Sequence, residues 1–82
     1  MTHKYSPTEE RLLKMLPHPP NRITVNELTK LYYKKLGKAM PFHGRIYISS
    51  SMRRLMAKAK VNGDYKIVRS NVIPYQYWIT TK

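Results

Sequence analysis

The sequence predicts an α+β fold in which three helices are followed by a two-stranded antiparallel hairpin. Three observations carry this. Two separate Ser/Thr-x-x-Glu patterns each precede an apolar run at helical spacing. A third apolar stripe, also at helical spacing, runs from Ile48 to Ala59. The last part of the chain holds two segments rich in aromatic and β-branched residues, separated by a turn-forming stretch that ends in Pro74.

The first helix is expected over residues 7–16. Ser6 and Glu9 form a capping box, and Pro7 stands at the first helical position, where a missing N–H costs nothing. Glu9 and Glu10 lie in the first turn, where the helix dipole favours negative charge. Leu12, Leu13 and Leu16 supply the buried stripe, and the Pro17-His18-Pro19-Pro20-Asn21 stretch ends the helix.

The second helix is expected over residues 25–36. Thr24 and Glu27 make another capping box, and Ile23 with Leu28 occupy the positions of a hydrophobic staple. Val25, Leu28, Leu31, Tyr32 and Leu36 recur at helical spacing. Gly37 is the natural stop, with Lys34, Lys35 and Lys38 around the negative end of the dipole.

The third helix is expected over residues 49–60. Ile48, Met52, Leu55, Met56 and Ala59 fall within an arc of roughly 100° at helical spacing. Ser50, Arg53, Arg54, Ala57, Lys58 and Lys60 fall outside it. Extending the helix backwards puts Arg45 in the apolar arc and takes Ile46 out of it, so Ser49 is read as the cap and residues 37–48 as a long connection. Gly44 is the alternative starting point. The hairpin, over residues 65–80, pairs a strand at Tyr65–Arg69 with one at Tyr75–Thr80 around a Ser70–Pro74 loop. Trp78 is expected to close the core over the hairpin.

Charge sets the expected partners. Sixteen Lys and Arg face four Asp and Glu, a net of +12. Residues 1–27 hold four bases and three acids, a net of +1, whereas residues 28–82 hold twelve bases and only Asp64, a net of +11. Internal pairs cannot neutralise such a surplus, which points to a polyanionic partner. There is no cysteine, which excludes disulfides and thiolate metal sites. His3, His18 and His43 have no metal-ligand spacing, and the few acids, three of them at helix starts, leave no catalytic pair. Gly37, Gly44 and Gly63 form no phosphate-cradling loop. Neither catalysis nor a cofactor is expected. The first apolar cluster, Leu12 to Leu16, is too short for a signal peptide, and no run approaches the roughly 20 apolar residues that span a bilayer. A cytoplasmic protein is expected.

The order of elements, with R-I-T-V-N-E-L leading into the second helix and S-S-M-R-R-L-M-A-K-A leading into Y-K-I-V-R and Y-W-I-T, resembles the winged helix-turn-helix family of DNA-binding domains. The resemblance covers residues 6–80 and implies that the third helix enters the major groove while the hairpin forms a wing. Base-reading candidates are then Tyr47, Ser50, Ser51 and Arg54, with Arg54 best placed to fork onto a guanine. Phosphate-contact candidates are Lys34, Lys35, Lys38, Arg45, Arg53, Lys58, Lys66 and Arg69. The expected partner is double-stranded DNA, bound by a transcriptional regulator or an architectural accessory factor. A homodimer on DNA and monomers side by side are both compatible. Two alternatives remain open from sequence: an RNA-binding or ribosome-associated domain, and a small protein-interaction module or inhibitor whose basic face docks on an acidic partner. A membrane-surface role is disfavoured because the apolar stripes are needed for the core.

Overall fold

A computed structural model describes residues 3–81. The elements run α1 (Pro7–Met15), β1 (Ile23–Thr24), α2 (Val25–Leu36), α3 (Gly44–Asn62), β2 (Tyr65–Arg69) and β3 (Gln76–Thr81). The fold is α+β, with three helices and a three-stranded antiparallel sheet in the order β1-β3-β2. The sheet therefore has one strand more than the expected hairpin. Ile23 pairs with Tyr77 and Thr24 with Gln76, while β2 pairs with β3 from Tyr65–Thr81 to Arg69–Tyr77. The Ile79 N–H donates to the Pro17 carbonyl at 2.9 Å, extending the β1 side of the sheet.

Both capping boxes form. The Glu9 N–H donates to the Ser6 hydroxyl at 3.2 Å, and the Ser6 N–H donates to Glu9 Oε1 at 2.7 Å. The same exchange joins Thr24 and Glu27 at 3.2 Å in each direction. Helix α2 ends at Gly37 with φ of 68°, a left-handed conformation that glycine adopts without a Cβ clash.

The third helix begins one turn earlier than the apolar stripe implies. Its N-cap, His43, makes no side-chain cap bond. The start is set by tertiary contact instead. The Gly44 N–H donates to the Pro41 carbonyl at 3.0 Å, and Gly44 is buried. A Cβ there would stand 3.0 Å from both Met40 Cγ and Tyr33 Cε2, so glycine lets these side chains pack closely over the backbone. The extra turn overhangs the core. Arg45 lies above the start of α2, where its Nη1 donates to Asn26 Oδ1 at 3.1 Å, and Ile46 points to solvent. The connection between α2 and α3 is thereby shortened to residues 37–43.

Leu12 and Leu16 of the first helical segment, Leu28 and Tyr32 of α2, Ile48, Met52 and Leu55 of α3, and Tyr77 and Ile79 of β3 form one core. Helix α3 touches α1, α2 and β2, so its buried arc is wider than a single contact would require. Trp78 is not part of that core. Alternation along β3 sends Tyr77 and Ile79 inward and Trp78 to the other face, where the Arg22 guanidinium lies 4.5 Å from its ring centre.

Candidate nucleic-acid interface

The outward side of α3 is small in the middle and basic at its edges. Ser50 and Ala57 are exposed opposite the core stripe, with Arg53 and Arg54 exposed to either side of them. Arg53 lines a groove of about 520 Å³ that opens between the first half of α3, the start of α2 and the tip of the β2–β3 hairpin. Arg45, Ile46, Ser49 and Ser50 of α3 line it on one side, and Ile73, Pro74 and Tyr75 of the hairpin tip on the other. Thr24, Val25 and Asn26 close its end. No Asp or Glu lines it.

The hairpin tip is held at its base by Ser70. The Ser70 N–H donates to the Gln76 carbonyl and the Gln76 N–H to the Ser70 hydroxyl, both at 2.9 Å. The hydroxyl donates in turn to the Val72 carbonyl at 3.3 Å. Arg69 is drawn over the Tyr75 ring at 4.3 Å, which fixes a cation at the neck of the tip. Lys66 is exposed further down β2 and borders a second pocket with Ala57 and Lys60 of α3.

Four of the sequence candidates are placed differently from expectation. Ser51 is 1% exposed and cannot reach a base. Tyr47, Ser51 and Lys58 follow one another at helical spacing along the flank of α3 that faces α1. On that flank the Tyr47 hydroxyl is bonded to Thr8 Oγ1 at 2.7 Å and is outside the groove. Lys58 Nζ donates to Glu9 Oε1 at 2.6 Å and to the Lys4 carbonyl at 3.1 Å, so its charge is matched inside the protein. Lys35 lies on another side of the molecule, in a pocket of about 190 Å³ with Arg11 and Lys14. Lys34 and Lys38 are exposed at the end of α2 and do not line the groove. The structure thus brings Arg45, Ser50 and Arg53 together, sets Arg54 on the neighbouring edge of the same helix face beside His3 and Val61, and puts Lys66 and Arg69 on the adjoining strand. Ile46, Ser49, Ile73 and Tyr75 join them without having been singled out. The sequence signal for Ile46 was its position outside the apolar arc, and for Ile73 its place in a loop where a polar residue is usual.

None of the four acids lines the groove, and Glu27 stands beside its end through the bond to Thr24. Glu9 is 2% exposed, and among the described residues its Oε2 has no hydrogen-bond partner. Burial by itself would raise its pKa, but the Lys58 ammonium and the Ser6 N–H outweigh burial and hold the carboxyl below its usual 4.5. Glu27 is engaged with Thr24. Asp64 accepts from the Tyr5 hydroxyl at 2.6 Å; burial, then this bond, raises the tyrosine pKa above its usual 10.0. Next to it the His3 N–H donates to Asn62 Oδ1 at 2.7 Å and Asn62 Nδ2 donates back to the His3 carbonyl at 2.8 Å, clasping the leading strand of chain to the end of α3. The groove is lined by Arg45 and Arg53 with no acid among its lining residues, while Glu27 follows Asn26 at its end and Glu10 is exposed on α1.

Among the described residues no three His, Cys, Asp or Glu side chains gather as metal ligands, and no helix is long and apolar enough to cross a membrane. No family model, no curated protein and no solved structure matches the chain.

Proposed function

We propose that this chain is a winged helix-turn-helix DNA-binding protein, a transcriptional regulator or architectural accessory factor, which seats α3 in the major groove and rests the β2–β3 hairpin on the adjacent backbone. The observation that carries this reading is the acid-free groove between α3 and the hairpin tip, lined by Arg45, Ser49, Ser50 and Arg53. A major groove about 12 Å wide admits a helix, and side chains on its N-terminal half reach base edges. Ser50 and Ala57 keep the centre of the helix face low, so the backbone of α3 can come close to the groove floor. Arg54 is free to fork onto a guanine, its contact with Ser51 being a long 3.4 Å. Arg45, Arg53, Lys66 and Arg69 are then the phosphate contacts, and Lys58 is not among them.

A competition titration tests the proposal. Labelled duplex DNA is displaced by unlabelled duplex DNA, duplex RNA and single strands over a range of salt. Duplex DNA is expected to compete best. With six to eight phosphates neutralised, log affinity should fall against log salt with a slope of about −5 to −7. Better competition by duplex RNA transfers the groove to an RNA partner, and absence of any complex at near-physiological salt moves it to an acidic protein.

A further inference from the structure

Two of the most exposed apolar side chains in the described chain, Ile73 at 82% and Val72 at 71%, sit together at the hairpin tip with Pro74 beside them. A loop between strands normally carries polar residues there, since exposed apolar surface at a tip contributes nothing to the core. The tip is also no loose end: the two Ser70–Gln76 bonds and the Ser70–Val72 bond brace it from below. Its surroundings are cationic, with Arg69 against Tyr75 on its own neck and Arg53 across the groove.

We propose that Val72 and Ile73 form an apolar wedge that enters a base step from the minor groove and kinks the duplex. The inference rests on the DNA-binding reading and adds a deformation to it. Ile73 and Pro74 share one groove with Ser50 and Arg53, so a duplex that receives α3 in its major groove meets the tip across one strand, at the neighbouring minor groove. Arginines at the neck and across the groove are matched to the phosphates on either side of that groove. An apolar side chain delivered there between two base pairs gains burial that water denies it and opens the step, bending the duplex toward the major groove. Pyrimidine–purine steps unstack most easily, so the wedge should select TA or CA steps that no side chain reads by hydrogen bonding.

The test uses the full chain and a duplex of about 30 base pairs with a central TA step, dyes at both ends, and 2-aminopurine at the step. The wild-type protein should raise energy transfer between the ends, by a bend within the range of about 20–90° that wedges produce, and brighten the 2-aminopurine as it unstacks. The Val72→Ser/Ile73→Ser variant should bind more weakly and, at a protein concentration that saturates the duplex, leave it straight and the 2-aminopurine dark; a match of its circular dichroism to wild type establishes that it is folded. A straight duplex with bound wild-type protein overturns the wedge alone. A variant that bends DNA as the wild type does overturns it equally. Failure of the wild-type protein to bind any duplex overturns the DNA reading and the wedge with it.

Discussion

Lys58→Met should lower folding stability by about 3–5 kcal/mol at neutral pH, because it strands a carboxylate inside the protein. Glu9 is 2% exposed, and its Oε1 holds both the Lys58 ammonium at 2.6 Å and the Ser6 N–H at 2.7 Å. Methionine keeps most of the aliphatic stem and removes the charge, together with the bond to the Lys4 carbonyl. A chain of this length is stable by about 4–12 kcal/mol, so the loss is a large share of the total. The pH dependence identifies the cause. In the wild type the Glu9 carboxyl is held below 4.5, so its contribution is present above that value and is lost as pH falls through the lowered folded value. Without Lys58 only the Ser6 bonds oppose burial, so the folded carboxyl titrates higher than in the wild type. The variant should then lose less stability than the wild type as pH falls below about 4.5, a shallower slope. Denaturant melts at a series of pH values read both slopes. Adding Glu9→Gln to Lys58→Met should restore much of the loss, since no charge is then buried. A single variant within about 1 kcal/mol of wild type, with an unchanged pH slope, would remove the pair from any structural role. DNA affinity of a folded Lys58→Met protein, measured well below its melting point, should hardly change.

Ala57→Tyr should weaken duplex binding by about 100-fold or more while leaving the fold intact, a loss of about 2.7 kcal/mol in binding at 25 °C. Ala57 is exposed at the middle of the outward face of α3 and borders two surface pockets. A helix with its side chains measures about 10–12 Å across, and the groove is about 12 Å wide, so the fit tolerates little added bulk at the centre. A tyrosine there props the helix off the groove floor and separates Arg53 and Arg54 from their partners together. Its cost to folding is a helix-propensity term of about 0.5 kcal/mol. His18→Tyr, at an exposed position outside the groove, is the control and should bind as wild type does. Equal affinity for Ala57→Tyr and wild type, by anisotropy at matched salt, would mean that α3 does not enter the groove.

Elements announced by local chemistry were legible in the sequence. Helix α2 runs over the expected residues because its start is written in Thr24 and Glu27 and its end in Gly37. The strand Tyr65–Arg69 was readable from its composition. What escaped was set by residues distant in sequence. The start of α3 has no capping side chain to announce it, and Gly44 is buried beside Tyr33 and Met40. Strand β1 is two residues long and exists only because β3 arrives beside it; read locally, Ile23 and Thr24 are a staple and a cap. The inward or outward sense of Tyr77 and Trp78 turns on a one-residue choice of face that composition does not fix.

The candidate site divided along the same line. The outward placement of Arg53, Arg54 and Ser50 was readable because they lie opposite the apolar stripe, which a helical wheel resolves. Ser51 and Lys58 were misplaced because the wheel contains only one contact, whereas α3 has three neighbours and α1 covers the flank on which both residues lie. Glu9 hid the pairing: one carboxylate oxygen serves the capping box and Lys58 at once, and only the first of these is local. The groove itself joins residues from α2, α3 and the hairpin tip, a juxtaposition that exists only in the folded chain.

Amide chemical-shift mapping during titration with a short duplex bears most directly on the proposed docking of DNA. Docking between α3 and the hairpin predicts shifts concentrated at Ile46, Ser49, Ser50, Arg53, Arg54 and Ala57 and at Val72, Ile73 and Tyr75, with Arg11, Lys14 and Lys35 nearly still. Shifts centred on Arg11, Lys14 and Lys35, or no shifts at all at saturating duplex, would contradict it.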